Sequence, residues 1–391
     1  MLTSVGVLDA LIVAATQGRV SRALPTDARG AVACSLRAAG APVRGSLPAV
    51  RAPARTAPQV GDGARPMAGG REPASSALPT AVLPLFDIGA NLLDPMFGGV
   101  YNGKQAHEPD LDRVLGRAAA AGVRDLVVTA GSLVDSRRAL ALVRALRGSS
   151  PVRLSCTVGV HPTRCTEFED GNAPTTVAQL LELARDGMAD GSVVAIGEIG
   201  LDFDRLHFCP RDVQQRHFDA QLELAHQTGL PLFLHNRNTS GVFTAAVRAR
   251  RSLIRAGGVV HSFDGGLAEL HELLELGFSI GINGCSLRTD ENLRVAAHVP
   301  LDRLMLETDA PWCQVRQTHA GAKHLMTKFG EVKKESWNAN ACVKSRNEPC
   351  HCRQVLEVVA AVRGQPAGEV AAAARANARA LFYGEPPGAR C

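Results

Sequence analysis

From residue 83 onward, short apolar runs alternate with longer stretches in which apolar residues return every three or four positions. The short runs are what strands buried on both faces look like, and the longer ones describe helices with a single apolar stripe. Eight short runs stand out, at 85–88, 125–129, 154–160, 193–196, 231–234, 258–260, 278–282 and 303–306. In the helical stretch 213–228, Phe218, Leu222 and Ala225 fall on one face, while Arg216, Asp219 and Glu223 can face water. Eight strand-then-helix repeats predict a parallel sheet closed into a TIM-type (β/α)8 barrel over residues 83–385. A doubly wound open sheet is the rival topology, but no glycine-rich phosphate fingerprint follows the first strand.

A barrel enzyme places its chemistry where strands run out into the following loops. Five predicted strands end on a side chain that can bind metal or move a proton: His161 after the third, Glu198 after the fourth, His235 after the fifth, His261 after the sixth and Asp309 after the eighth. A carboxylate at the end of an apolar run is costly to bury unless a cation faces it. If the barrel closes, Glu198, His235, His261 and Asp309 converge on one mouth. Their mixed nitrogen and oxygen donors suit Zn2+, Mn2+ or a similar divalent ion, with no thiolate required.

Residues 1–80 have a different composition, with nine arginines, no lysine and four acidic residues among many Ala, Pro and Gly. This reads as a disordered extension, either a mitochondrial or plastid transit segment or plain low complexity. Net charge is +5, too small on a chain of 391 residues to argue by itself for nucleic acid. The ten cysteines lack a repeated spacing and read as reduced thiols of an intracellular protein of nucleus or cytoplasm. Cys350-His351-Cys352 lacks the second ligand pair of a zinc finger. No apolar run reaches the roughly 18 residues of a membrane span, so no membrane partner is expected.

The motifs Gly197-Glu198-Ile199-Gly200-Leu201-Asp202, Leu234-His235-Asn236-Arg237, Val260-His261-Ser262-Phe263 and Glu307-Thr308-Asp309-Ala310-Pro311-Trp312 resemble the signatures of the TatD deoxyribonuclease family. Gly159-Val160-His161-Pro162 and Arg346-Asn347-Glu348-Pro349 fit as well. All come in the family's order, from about residue 86 to about 383. The opening Asp87-Ile88-Gly89-Ala90-Asn91-Leu92 is most similar to the eukaryotic TatD-domain subgroup. The resemblance implies a divalent-metal-dependent deoxyribonuclease, often a 3′ to 5′ exonuclease, with roles in DNA repair or degradation and one or two ions (Mg2+, Zn2+ or Mn2+) per chain. It further implies that Glu198 bridges two ions, with His235 and His261 on the second and Asp309 on the first. Bacterial-type members carry a His-x-His pair where this chain has Gly89 and Asn91. The first site should then be weaker and richer in oxygen, with Asn91 as a weak amide ligand.

By the same resemblance Glu198 is catalytic, and His161 either contacts the scissile phosphate, shuttles a proton or hydrogen-bonds a ligand. Asp202 is read as orienting a ligand imidazole or holding a loop arginine. The stretch 316–346 carries Arg316, Lys323, Lys328, Lys333, Lys334, Lys344 and Arg346 against Glu331 and Glu335. Lys333, Lys334, Arg346 and Asn347 are the candidate DNA-backbone contacts, and Trp312, Phe329 and Trp337 are either base-stacking groups or anchors. A monomer is expected. Two rival readings are a hydrolase of small ester, amide or phosphoester substrates and a scaffold that has lost its first metal site. The first lacks the strand-four lysine common in amidohydrolases, and the second leaves the buried charges unexplained.

Overall fold

The computed structural model describes residues 82–170 and 173–385, so the 1–80 extension lies outside the described residues. Eight strands pair in sequence order, every neighbour parallel: β1 (Leu85–Ala90), β2 (Val123–Val128), β3 (Arg153–Val158), β4 (Val193–Asp202), β5 (Leu232–Arg237), β6 (Gly258–Val260), β7 (Ser279–Ile282) and β8 (Leu304–Leu306). The ring closes through a parallel bridge between Ala90 and Ala310, where Asn91 N–H donates to Ala310 at 2.6 Å and Asp309 N–H to Gly89 at 2.8 Å. The expected (β/α)8 barrel is the observed one.

Several strand boundaries differ from the sequence expectation, among them the ends of β4 and β3. β4 continues past residue 196 to Asp202 because it keeps pairing with β5, Ile199 against Leu234 and Asp202 against Arg237. β3 stops at Val158 because the Gln221 side chain takes over the backbone of Val160, accepting its N–H at 2.7 Å and donating to its carbonyl at 3.0 Å.

Helices α1 (Leu111–Ala121), α2 (Leu133–Leu146), α3 (Ala173–Ala189), α4 (Arg211–Thr228), α5 (Val242–Ala249), α6 (Leu267–Glu275), α7 (Asp290–His298) and α8 (Cys352–Arg363) follow successive strands. α4 buries Phe218, Leu222 and Ala225 as its stripe requires, and Gly229 ends it in the left-handed conformation, bonding back to Ala225. Apolar burial falls into two layers. Most of it lies between sheet and helices, while Phe86, Ile88, Val127, Val194, Phe233, Val259 and Met305 fill the barrel. Ala378 and Phe382 of α9 (Ala367–Tyr383) pack on this inner layer. Among the described residues no helix is long and apolar enough to cross a membrane.

Candidate metal centre

β4, β5 and β6 deliver Glu198, His235 and His261 to one point. Glu198 Oε1 lies 2.8 Å from His235 Nδ1 and 2.7 Å from His261 Nε2, and those nitrogens are 3.3 Å apart. Such closeness demands small neighbours: a Cβ on Gly200 would fall 1.9 Å from the His235 carbonyl oxygen, so only glycine lets β4 run this close to β5. Two imidazole nitrogens and a carboxylate oxygen in a tight triangle match the donors and spacing of a divalent ion held at about 2.1 Å from each.

The far sides of both rings complete the fit. His235 Nε2 is 3.3 Å from Asp202 Oδ2, and His261 Nδ1 is 3.5 Å from Glu307 Oε2; both nitrogens are buried and otherwise without a partner. A carboxylate behind each ring would keep its outer nitrogen protonated and leave the inner lone pair free for a cation. Asp202 also holds Arg205 at 2.8 Å, so it contacts both an imidazole and a loop arginine. Glu307 was not singled out from sequence as a site residue, although it sits in the same motif as Asp309. It accepts from Ser262 N–H and Asn283 and fills the space beside Gly89.

Charge is concentrated here. Burial alone would raise the Glu198 carboxyl, but His261 and His161 hold it well below the usual carboxylate range. Burial opposes protonation of His261, yet Glu198 and Glu307 raise its pKa well above the ordinary imidazole value. His235 is raised too, against its burial, by Asp202 and Glu198. His161, with Nε2 3.3 Å from Glu198 and Nδ1 2.7 Å from Thr163, is lowered by burial and is the ring biased toward neutrality.

The β1–β8 side is built differently. Asp309 lines the same cavity, about 1060 Å³ in volume, but stands outside the tight groups Glu198–His235–His261 and His161–Asp202–His235. Its Oδ1 accepts from the Asn91 amide at 2.8 Å and its Oδ2 from the Cys313 thiol at 3.2 Å. The Asn91 amide oxygen accepts from Thr129 at 2.8 Å while its amide nitrogen holds Asp309, so Asn91 positions Asp309. A Cβ at Gly89 would lie 2.9 Å from Phe233 and 3.0 Å from Glu307, so the place of the missing first imidazole is occupied.

Two further expectations need correction. Arg346 is fully buried, clamped by Asp110 at 2.7 Å and Glu348 at 2.8 Å, and cannot reach a substrate. Asn347 is buried as well and donates to the carbonyls of Thr308 and Trp312, fixing the turn that carries Asp309. Lys333 and Lys334 do face a cavity of about 640 Å³, with Lys344 and Trp312. Trp312 also lines the main cavity and is 49% exposed, whereas Trp337 is tied to Asp110 and stacked on His107, and Phe329 packs on His351. The main cavity is further ringed by Arg138 of α2, Arg237 at the end of β5, and Arg164, Arg205, Arg288 and Arg316; of these only Arg316 belongs to the basic stretch read from the sequence, because the others are scattered along the chain.

A family model described as TatD related DNase matches residues 86–383. The chain belongs to the TatD family. Its TatD region is 43% identical over 285 residues to a protein of Schizosaccharomyces pombe named deoxyribonuclease Tat-D, covering 72% of this chain and 90% of the relative. It is 35% identical over 301 residues to a 3′-5′ ssDNA/RNA exonuclease TatD of Erwinia tasmaniensis, covering 76% and 99%. The crystal structure of a TatD-family hydrolase from Entamoeba histolytica superposes with a TM-score of 0.73 at 33% identity, covering 78% of this chain and 99% of that one.

Proposed function

We propose that this chain is a divalent-metal-dependent deoxyribonuclease that hydrolyses phosphodiester bonds from a 3′ end. The observation that carries the reading is the Glu198–His235–His261 triangle, with Asp202 and Glu307 behind the two rings. The names of the relatives from fission yeast and Erwinia, one specifying 3′-5′ exonuclease action, supply the substrate class.

Glu198, His235 and His261 would hold one ion, and Glu198 with Asp309 would face a second. Bound there, a divalent cation supplies Lewis acidity toward a phosphoryl oxygen and acidifies a water for attack near neutral pH. The protein's own groups do the rest. Asp202 and Glu307 keep both rings in the ligating tautomer. His161, biased toward the neutral form, accepts a proton from the attacking water or donates a hydrogen bond to the phosphate. The arginines of the mouth and Lys333, Lys334 and Lys344 of the neighbouring cavity neutralise backbone phosphates without reading sequence. Trp312, exposed between the two cavities, offers a face for the terminal base.

The test is digestion of DNA labelled at either end with Mg2+, Mn2+, Zn2+ or chelator, using the intact protein and Glu198→Gln. Metal-dependent release of 3′-terminal nucleotides by the intact protein and background cleavage by the variant is the expected pattern. Equal, metal-independent behaviour of both proteins would overturn the reading.

A further inference from the structure

Of the eight cysteines among the described residues, six are buried, and the two that are not, Cys285 and Cys313, lie side by side. Their sulfurs are 2.7 Å apart, and both side chains line the main cavity with Glu198, His235, His261 and Asp309. Cys285 sits just after β7 and Cys313 seven residues after β8, on different loops of the mouth. The approach is built into the backbone. A Cβ on Gly284 would lie 2.0 Å from the carbonyl oxygen of Cys313, and Cys313 itself is in the left-handed region at φ 54°. Glycine at 284 and the turned backbone at 313 are what bring the two loops into contact.

We propose that Cys285 and Cys313 form a reversible disulfide under peroxide, a redox-modifiable site at the rim of the metal centre. The chemistry balances with hydrogen peroxide as the two-electron oxidant. Cys285, the thiol that is not bonded to a carboxylate, attacks the O–O bond to give a sulfenic acid and one water. The Cys313 sulfur then displaces the second water as the S–S bond forms, its thiol proton leaving with it. The sulfurs need to close only to about 2.05 Å. Bridging consumes the S–H that Cys313 donates to Asp309 Oδ2 and staples the turn carrying Asp309 to the loop after β7. The bridged chain therefore loses cleavage several-fold until a dithiol reduces it. Cys342 and Cys350, 3.9 Å apart but buried, have no such access and serve as an internal comparison.

The bridge itself does not depend on the nuclease reading and is mapped first, on the full chain without metal or DNA. Peroxide treatment, alkylation, digestion and mass spectrometry should give one cross-link joining the Cys285 and Cys313 peptides, reversed by dithiothreitol and absent in Cys285→Ser. In the presence of metal, that variant keeps its thiol partner for Asp309 and should cleave DNA equally before and after peroxide, while the unaltered chain loses activity several-fold and regains it on reduction. Free alkylation of both thiols after peroxide, or sulfinic acid on Cys313 with no cross-link, would overturn the proposal. A mapped bridge that leaves cleavage unchanged would overturn its coupling to Asp309.

Discussion

The two sides of the barrel mouth are built to different standards. On the β4–β6 side, three atoms that could ligate a cation lie within 3.3 Å of one another and each imidazole is backed by a buried carboxylate. On the β1–β8 side, Asp309 is steadied by an amide and a thiol, Gly89 contributes no donor, and the neighbouring volume is filled by Phe233 and Glu307. One side is preorganised for a cation. The other keeps a single carboxylate, so any ion there must draw its remaining ligands from Glu198, water or substrate. Binding strength in such centres follows the number of fixed donors and their outer-shell support, which predicts one firm and one weak site.

Breaking the firm side should do the most damage. His261→Ala removes one of the three proposed ligands and the imidazole that lies between Glu198 and Glu307; DNA cleavage should fall to background at every metal concentration, measured on end-labelled DNA. Asp202→Asn and Glu307→Gln keep every ligand but weaken the support behind a ring. Each should raise the metal concentration for half-maximal cleavage by about 10- to 100-fold. An unchanged midpoint in both would mean that the carboxylates only fill space.

The weak side is sharpened by pH. Burial raises the Asp309 carboxyl to about 6 from an ordinary value of 3.8; His261 opposes the rise, and Glu198 and Glu307 add to it. A folded pKa above the unfolded one means a stabilising contribution that is complete below about pH 4 and is lost as pH rises through about 6. The metal-free chain should therefore melt a few degrees lower at pH 7 than at pH 5 on this group's account. Asp309→Asn should abolish that part of the slope in calorimetry, and an identical slope in the variant would refute the assignment. The smallest effects belong to the outer cavity. Lys333→Ala with Lys334→Ala should weaken single-stranded DNA binding a few-fold and flatten its logarithmic salt dependence by about 0.7 per lysine, read by fluorescence anisotropy.

The firm side was legible in the sequence because its residues obey a positional rule: each follows an apolar run, and strand ends of a closed barrel must meet. Glu198, His235 and His261 needed nothing more. Asp202 was half legible, since β4 had to continue beyond its apolar run before residue 202 could reach the back of His235. What sequence could not reveal was the direction of polar side chains at the rim. Arg346 and Lys334 look alike as basic residues in one stretch, yet one is sealed between Asp110 and Glu348 while the other faces a cavity. Asn91 sits where a ligand was expected, but its amide is committed to Asp309 and Thr129. The Cys285–Cys313 pair joins residues 28 positions apart and has no spacing to betray it.

The contrast between the two sides is tested most directly by calorimetric titration of Mn2+ into the metal-free chain, its Asp309→Asn variant and its His261→Ala variant. The expected result is a tight and a weak class of sites in the unaltered chain, loss of the weak class alone in Asp309→Asn, and loss of the tight class in His261→Ala. A single class that survives His261→Ala and disappears in Asp309→Asn would contradict it.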